Sequence, residues 1–153
     1  PALRVRNFWM PIAYRLIRDP PLILSSYSGV VTEEDYLHAY RAIFASSDYR
    51  PDMHELADTR AMVTFDVQLP AIRTLAALAA STVDQSDSSM QTAVIQGSAM
   101  NLGVSKLYAA VADLHQKESL RLFPTLAEAA AWLSLPPSAI PMIDKELTQM
   151  SEA

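Results

Sequence analysis

"ELADTRAMVTFDVQLPAI" (Glu55–Ile72) decides the fold. Its opening, with Met53 and His54 before it, is a short strand candidate that ends in an acid, Asp58. From Leu69 the apolar residues Leu69, Ile72, Ala76, Ala79 and Val83 fall on one helical stripe. Pro70 suits the first turn of that helix, where its missing N–H costs nothing. A strand handing over to a helix is half of a βαβ unit. The residues between, with Thr59, Arg60 and Asp66, read as the connection.

The same grammar extends in both directions. Upstream, "IAYRLI" (Ile12–Ile17) and "LILSSYS" (Leu22–Ser28) read as two strands turned by "RDPP", with Gly29 ending the second. Thr32 is a good N-cap, and Glu33, Glu34 and Asp35 suit the positive end of the helix that follows. Tyr36, Leu37, Tyr40, Ile43 and Phe44 share one face of it. Downstream, "QTAVIQG" (Gln91–Gly97) carries an apolar run of strand length, of the kind buried on both faces of a parallel sheet. A helix through Val104, Leu107, Tyr108, Val111 and Leu114 follows, and then a strand, "SLRLF" (Ser119–Phe123). A last helix opens with Thr125 and Glu128 as a capping box and stops at Pro136-Pro137.

A hairpin followed by repeated βα units predicts an α/β fold. Its mostly parallel sheet has about five strands, with helices packed mainly on one side. One domain is expected over residues 10–135. Residues 1–9 read as an N-terminal extension, with Met10 as an alternative start. Residues 136–153 read as a tail that can form an amphipathic helix through Ile143, Leu147 and Met150 and fold back or meet a partner.

Composition narrows the function. At 153 residues, half of them hydrophobic and 19% charged, the chain has enough apolar material for one core. A net charge of −5 argues against nucleic acid, whose phosphates need a basic surface. There is no cysteine, which removes disulfides, thiolate metal sites and cysteine nucleophiles. No apolar run is long enough to span a bilayer, and the N-terminus lacks the apolar core of a signal peptide, so a cytoplasmic location is expected.

"LADTRAMVTFDVQLPAI" resembles the central segment of the SpoIIAA-like (STAS-type) domains, the anti-sigma-factor antagonists and their relatives. Their pattern is a strand ending in Asp, a small polar turn, an apolar pair, and Asp-Ser-Ser-Gly opening a helix. Asp58 matches the first Asp and Asp66 the second, while Val67-Gln68-Leu69 stands in place of Ser-Ser-Gly. The likeness covers most of Ile12–Leu135. It includes "AVIQG", the small-residue start "GSAMNLGVSKLYAAVADL", Phe123 and Ala131-Trp132-Leu133, and is nearest to an uncharacterised bacterial branch. The resemblance implies a β/α sandwich that works by binding proteins. In the classical members a serine at the helix start accepts phosphate. Gln68 aligns with it and has no hydroxyl to phosphorylate, so the phosphoserine switch is expected to be lost. A related sheet architecture occurs in CRAL-TRIO lipid-transfer proteins.

Candidate binding residues are Asp58, Thr59, Arg60, Asp66 and Gln68 in the first connection, and Ser98 and Asn101 in the second, "GSAMNLGVS". Ligands of open α/β sheets bind at the carboxyl ends of strands, where both connections lie. The plainer roles are also open. Asp66 can cap the next helix and Arg60 can be a solvated cation, while Gly97 can make a turn and Ser98 a cap. Neither a Walker-type Lys-Ser/Thr nor a G-x-G-x-x-G is present. His54 and Asp58 face the same way on a strand but sit ~13 Å apart, too far to share a metal. Asp35 and His38 can meet on a helix, yet a catalytic zinc takes three protein ligands. His115 falls near a helix end.

No metal, cofactor or catalytic residue is therefore assigned. The expected function is a non-enzymatic domain that binds a protein partner or itself, with homodimerisation open. The alternative is a carrier or sensor of a small apolar or anionic ligand. An acid–base enzyme using Asp58 and Asp66 ranks last.

Overall fold

A computed structural model describes residues 10–82, 90–97 and 118–152. Its strands are β1 (Ile12–Ile17), β2 (Leu22–Thr32), β3 (His54–Asp66), β4 (Met90–Ile95) and β5 (Glu118–Phe123). Its helices are α1 (Glu33–Ala45), α2 (Leu69–Thr82), α3 (Leu126–Trp132) and α4 (Ile140–Glu152), with a 3-10 turn at Pro137–Ala139. The predicted helix through Val104–Leu114 lies outside the described residues.

The strands stand side by side in chain order, β1-β2-β3-β4-β5. β1 pairs antiparallel with β2, and every later pairing is parallel. The α/β sheet expected from the sequence is thus present. Parallel neighbours need crossovers, and right-handed crossovers that step steadily across a sheet stay on one face. α1 and α2 obey this. With Ile23, Tyr27, Ala57 and Val94 they enclose one core, through Tyr36, Tyr40, Ile43, Ile72 and Leu75.

Strand side chains alternate between faces, so Leu22, Leu24, Leu56, Ala93 and Ile95 point the other way. α3 and α4 cover that second face with Leu126, Ala129, Leu133, Ile143, Leu147 and Met150. The C-terminal segment thus packs on the sheet itself. Ile143 and Leu147 are fully buried, and α4 lies against β1 and β2. Thr125 caps α3 by accepting the Glu128 N–H at 3.2 Å, and Ser134, at φ 58°, ends it ahead of the prolines.

Two expectations need correction. β2 does not stop at Gly29 but runs to Thr32, and β3 does not stop at Asp58 but runs to Asp66. Leu22 pairs with His54 and Thr32 with Asp66, so 11 residues of β2 face 13 of β3. The two extra residues are bulges on β3, at Thr59-Arg60 opposite Tyr27 and at Val63 between the Gly29 and Val30 pairs. Gly29 sits at the second irregularity with φ +62°, a conformation that favours glycine. The bulges break the two-residue alternation, which is why the stretch reads as a connection in sequence.

Thr32 is the N-cap of α1, as its sequence predicts. Its hydroxyl accepts the Asp35 N–H at 3.3 Å, and the Asp35 carboxylate accepts the Thr32 N–H at 2.9 Å. Among the described residues no helix is long and apolar enough to cross a membrane.

Candidate functional site

β4 pairs with β3 only from Glu55 to Asp58. Past that point, among the described residues, β2 and β3 continue as a two-stranded arm, through Ser28↔Ala61, Gly29↔Met62, Val30↔Thr64, Val31↔Phe65 and Thr32↔Asp66. Its inner side is anchored by Val31 and Met62, both buried in the α1–α2 core, with Phe65 packed edge-on against Tyr36. Val30 and Val63 lie outside that core, 54% and 69% exposed. Exposed valines are unremarkable singly, but here both sit on the same projecting ribbon.

The base of the arm is polar. Asp58 is buried and Arg60 exposed, and the pair is held as a fork. Arg60 Nε donates to Asp58 Oδ1 at 2.9 Å and Nη2 to Oδ2 at 2.8 Å, while the Arg60 backbone N–H also donates to Oδ1 at 3.0 Å. The Asp58 hydrogen bonds push the guanidinium above its ordinary range. Partial burial works against them, and the charges of Asp58 and of Asp144 on α4 add to them. Three hydrogen bonds onto one carboxylate fix the direction of the Arg60 side chain.

Thr59 is buried between the strands, and its hydroxyl donates to the Ile95 carbonyl at 2.6 Å. Gly97 touches the same place. A Cβ there would stand 2.3 Å from the Thr59 carbonyl oxygen, so only glycine fits against β3 without a shift. Gly97 therefore serves a close backbone approach.

The remaining sequence candidates separate. Asp66 is exposed at the tip of the arm, opposite Thr32. The stretch of β2 paired between Asp58 and Asp66 spans six steps from Ser26 to Thr32, or ~20 Å. No acid–base pair can be made from two carboxylates that far apart. Gln68, not Asp66, directly precedes α2. Its carbonyl accepts the Ala71 and Ile72 N–H groups, and its own N–H donates to Glu33 Oε1 at 3.3 Å. The α1 and α2 starts are tied together there. Ser98 and Asn101 lie outside the described residues, as does His115. Among the described residues no group of three His, Asp or Glu side chains comes together as a metal site. Asp35 is occupied by the α1 cap. His54 Nδ1 accepts the Gln91 N–H at 2.9 Å, and burial pushes its pKa down.

Sequence reasoning missed a second polar cluster, deep in the α1 side of the sheet. Glu55 is 4% exposed. Its Oε2 accepts the Ser25 hydroxyl at 2.8 Å and the Tyr40 hydroxyl at 2.6 Å, and Tyr40 is in turn hydrogen-bonded to Tyr27. Burial pushes the Glu55 carboxyl up, against the pull of the Tyr40 and Ser25 hydrogen bonds. The same burial, with the Glu55 charge, pushes both tyrosines well above their ordinary range. The signal was present in the sequence, since "MHELAD" carries one acid at a position that alternation places beside Met53 and Ala57, facing the core.

No protein-family model matches the chain, and no curated protein matches it.

Proposed function

We propose that the chain is a non-enzymatic, regulatory SpoIIAA-like domain that binds a protein partner, or a second copy of itself, through the β2–β3 arm. The carrying observation is the arm: a ribbon that outruns β4 and holds Val30 and Val63 toward solvent. Such a ribbon suits recognition by strand addition, in which main-chain hydrogen bonds give affinity and alternate side chains give specificity. Arg60, locked by Asp58 at its base, adds a directed cation for an acidic side chain or a carboxylate on the partner. Gln68 offers no hydroxyl at the start of α2, so binding without a phosphoserine switch is part of the same reading. A cytoplasmic, bacterial setting belongs to it as well.

A photo-crosslinking residue in place of Val63 tests the proposal in native lysate, with one at the exposed Glu128 as control. A discrete adduct at 63 that is absent at 128 and is lost with Val30→Lys or Arg60→Ala is expected. Sedimentation across concentrations distinguishes a second copy from a different protein. Equal crosslinking at both positions, together with a monomer at every concentration, overturns the proposal.

A further inference from the structure

Glu55 is the hub that ties α1 to the sheet. The Ser25 hydroxyl from β2 and the Tyr40 hydroxyl from α1 both converge on Oε2, and Tyr27 from β2 holds Tyr40 from its other side. A buried carboxylate demands hydrogen-bond donors, and a buried carboxylic acid demands an acceptor for its proton. The ionised form has its donors in Ser25 and Tyr40. Beside it on β4, in direct register, stands Thr92. Thr92 is 5% exposed, and among the described residues its hydroxyl is the one buried side-chain polar atom without a hydrogen-bond partner. A buried hydroxyl left unpaired is destabilising, so a native chain that keeps one invites an explanation.

We propose that Glu55 and Thr92 form a proton-binding site: on acidification the Glu55 carboxyl takes a proton from solvent on Oε1, and the new O–H donates to Thr92 Oγ1. Oε2 stays an acceptor for Ser25 and Tyr40, so protonation adds a bond without breaking one. The bond that forms is a carboxyl O–H, and the lost negative charge is the one that burial penalises. The groups facing Glu55 from the packed elements are Ser25 and Tyr27 on β2 and Tyr36 and Tyr40 on α1. No hydrogen bond or ion pair joins Glu55 to a cation among the described residues, so the proton is the counter-charge at hand. The result is a proton-dependent tie between β3 and β4 directly beneath α1. It stands independently of the arm's role in binding.

Carbon-13 NMR of the side-chain carboxyls tests this in the 153-residue chain, with exposed Glu34 as the internal reference. Glu55 is expected to titrate above Glu34. Thr92→Val, which keeps shape and removes the hydroxyl, should lower Glu55's proton affinity by roughly threefold to tenfold, and Thr92→Ser should restore it. Amide exchange in β4, corrected for intrinsic rates, should slow on acidification in the wild type and lose that response in Glu55→Gln. A Glu55 midpoint at or below that of Glu34 overturns the proposal. So does a Thr92→Val midpoint that is unchanged or raised, since a raised value makes the hydroxyl a donor to the carboxylate. Thr92→Val is isosteric, so the test survives if Glu55→Gln fails to fold.

Discussion

Single residues carry most of the electrostatics. Glu55 holds its proton more tightly folded than unfolded. Its contribution to stability is therefore complete below the ordinary glutamate range and is lost as pH rises through the higher folded-state value. Glu55→Gln should flatten that fall, so its stability relative to wild type improves with rising pH; denaturant titrations at a series of pH values read this directly. Tyr40→Phe has the opposite consequence at neutral pH. It strips a donor from a buried carboxylate and should cost about 1–3 kcal/mol. His54 has the contrary sign to Glu55. Its folded pKa is depressed, so its contribution is present above ~6.5 and is lost as pH falls below that toward the folded value. Protonating Nδ1 also removes the acceptor for the Gln91 N–H. His54→Gln should erase that neutral-to-acid loss in the same titrations.

At the scale of elements, the arm and the close approach of β3 to the chain after β4 depend on two glycines for different reasons. Gly29 has open space around its missing side chain but a φ of +62°. Gly29→Ala should cost about 1–2 kcal/mol, and Gly29→Asn less, because asparagine tolerates the left-handed region. Gly97 has no room, since the Thr59 carbonyl oxygen would lie 2.3 Å from a new Cβ. Gly97→Ala must push backbone away from backbone, at the upper end of the ~1–3 kcal/mol typical of overpacking. It should also loosen the Thr59–Ile95 bond, which hydrogen exchange and chemical shifts at β4 can follow. Equal costs at the two glycines would show that the steric account of Gly97 is wrong.

For the molecule as a whole, the second face of the sheet is completed late in the chain. Leu22, Leu24, Leu56, Ala93 and Ile95 are covered by α3 and α4. A chain ending at Leu135 would leave that face without Ile143, Leu147 and Met150. It should fail to unfold cooperatively and should bind hydrophobic dyes. In the full chain, Ile143→Ala and Leu147→Ala should each cost about 2–5 kcal/mol, measured by denaturant unfolding. Losses near zero would mean that α4 is a peripheral appendage.

The amino-acid sequence by itself determined the elements. Thr32 at the start of α1, Thr125 at the start of α3, the apolar run of β4 and the alternation of the hairpin strands are local statements, readable from neighbours a few residues apart. It also showed Asp58 and Arg60 as close in chain, and they do pair. The tertiary structure decided what depends on distant partners. Whether Gly29 and Thr59-Arg60 end strands or bulge within them is settled by the β2–β3 ladder, whose partners lie about thirty residues apart. The parity of a strand tells which residues share a face, but not which helix comes to cover it. Tyr40 reaching Glu55, Thr92 lying beside it and α4 returning to β1 and β2 all follow from long-range packing, which no local pattern encodes.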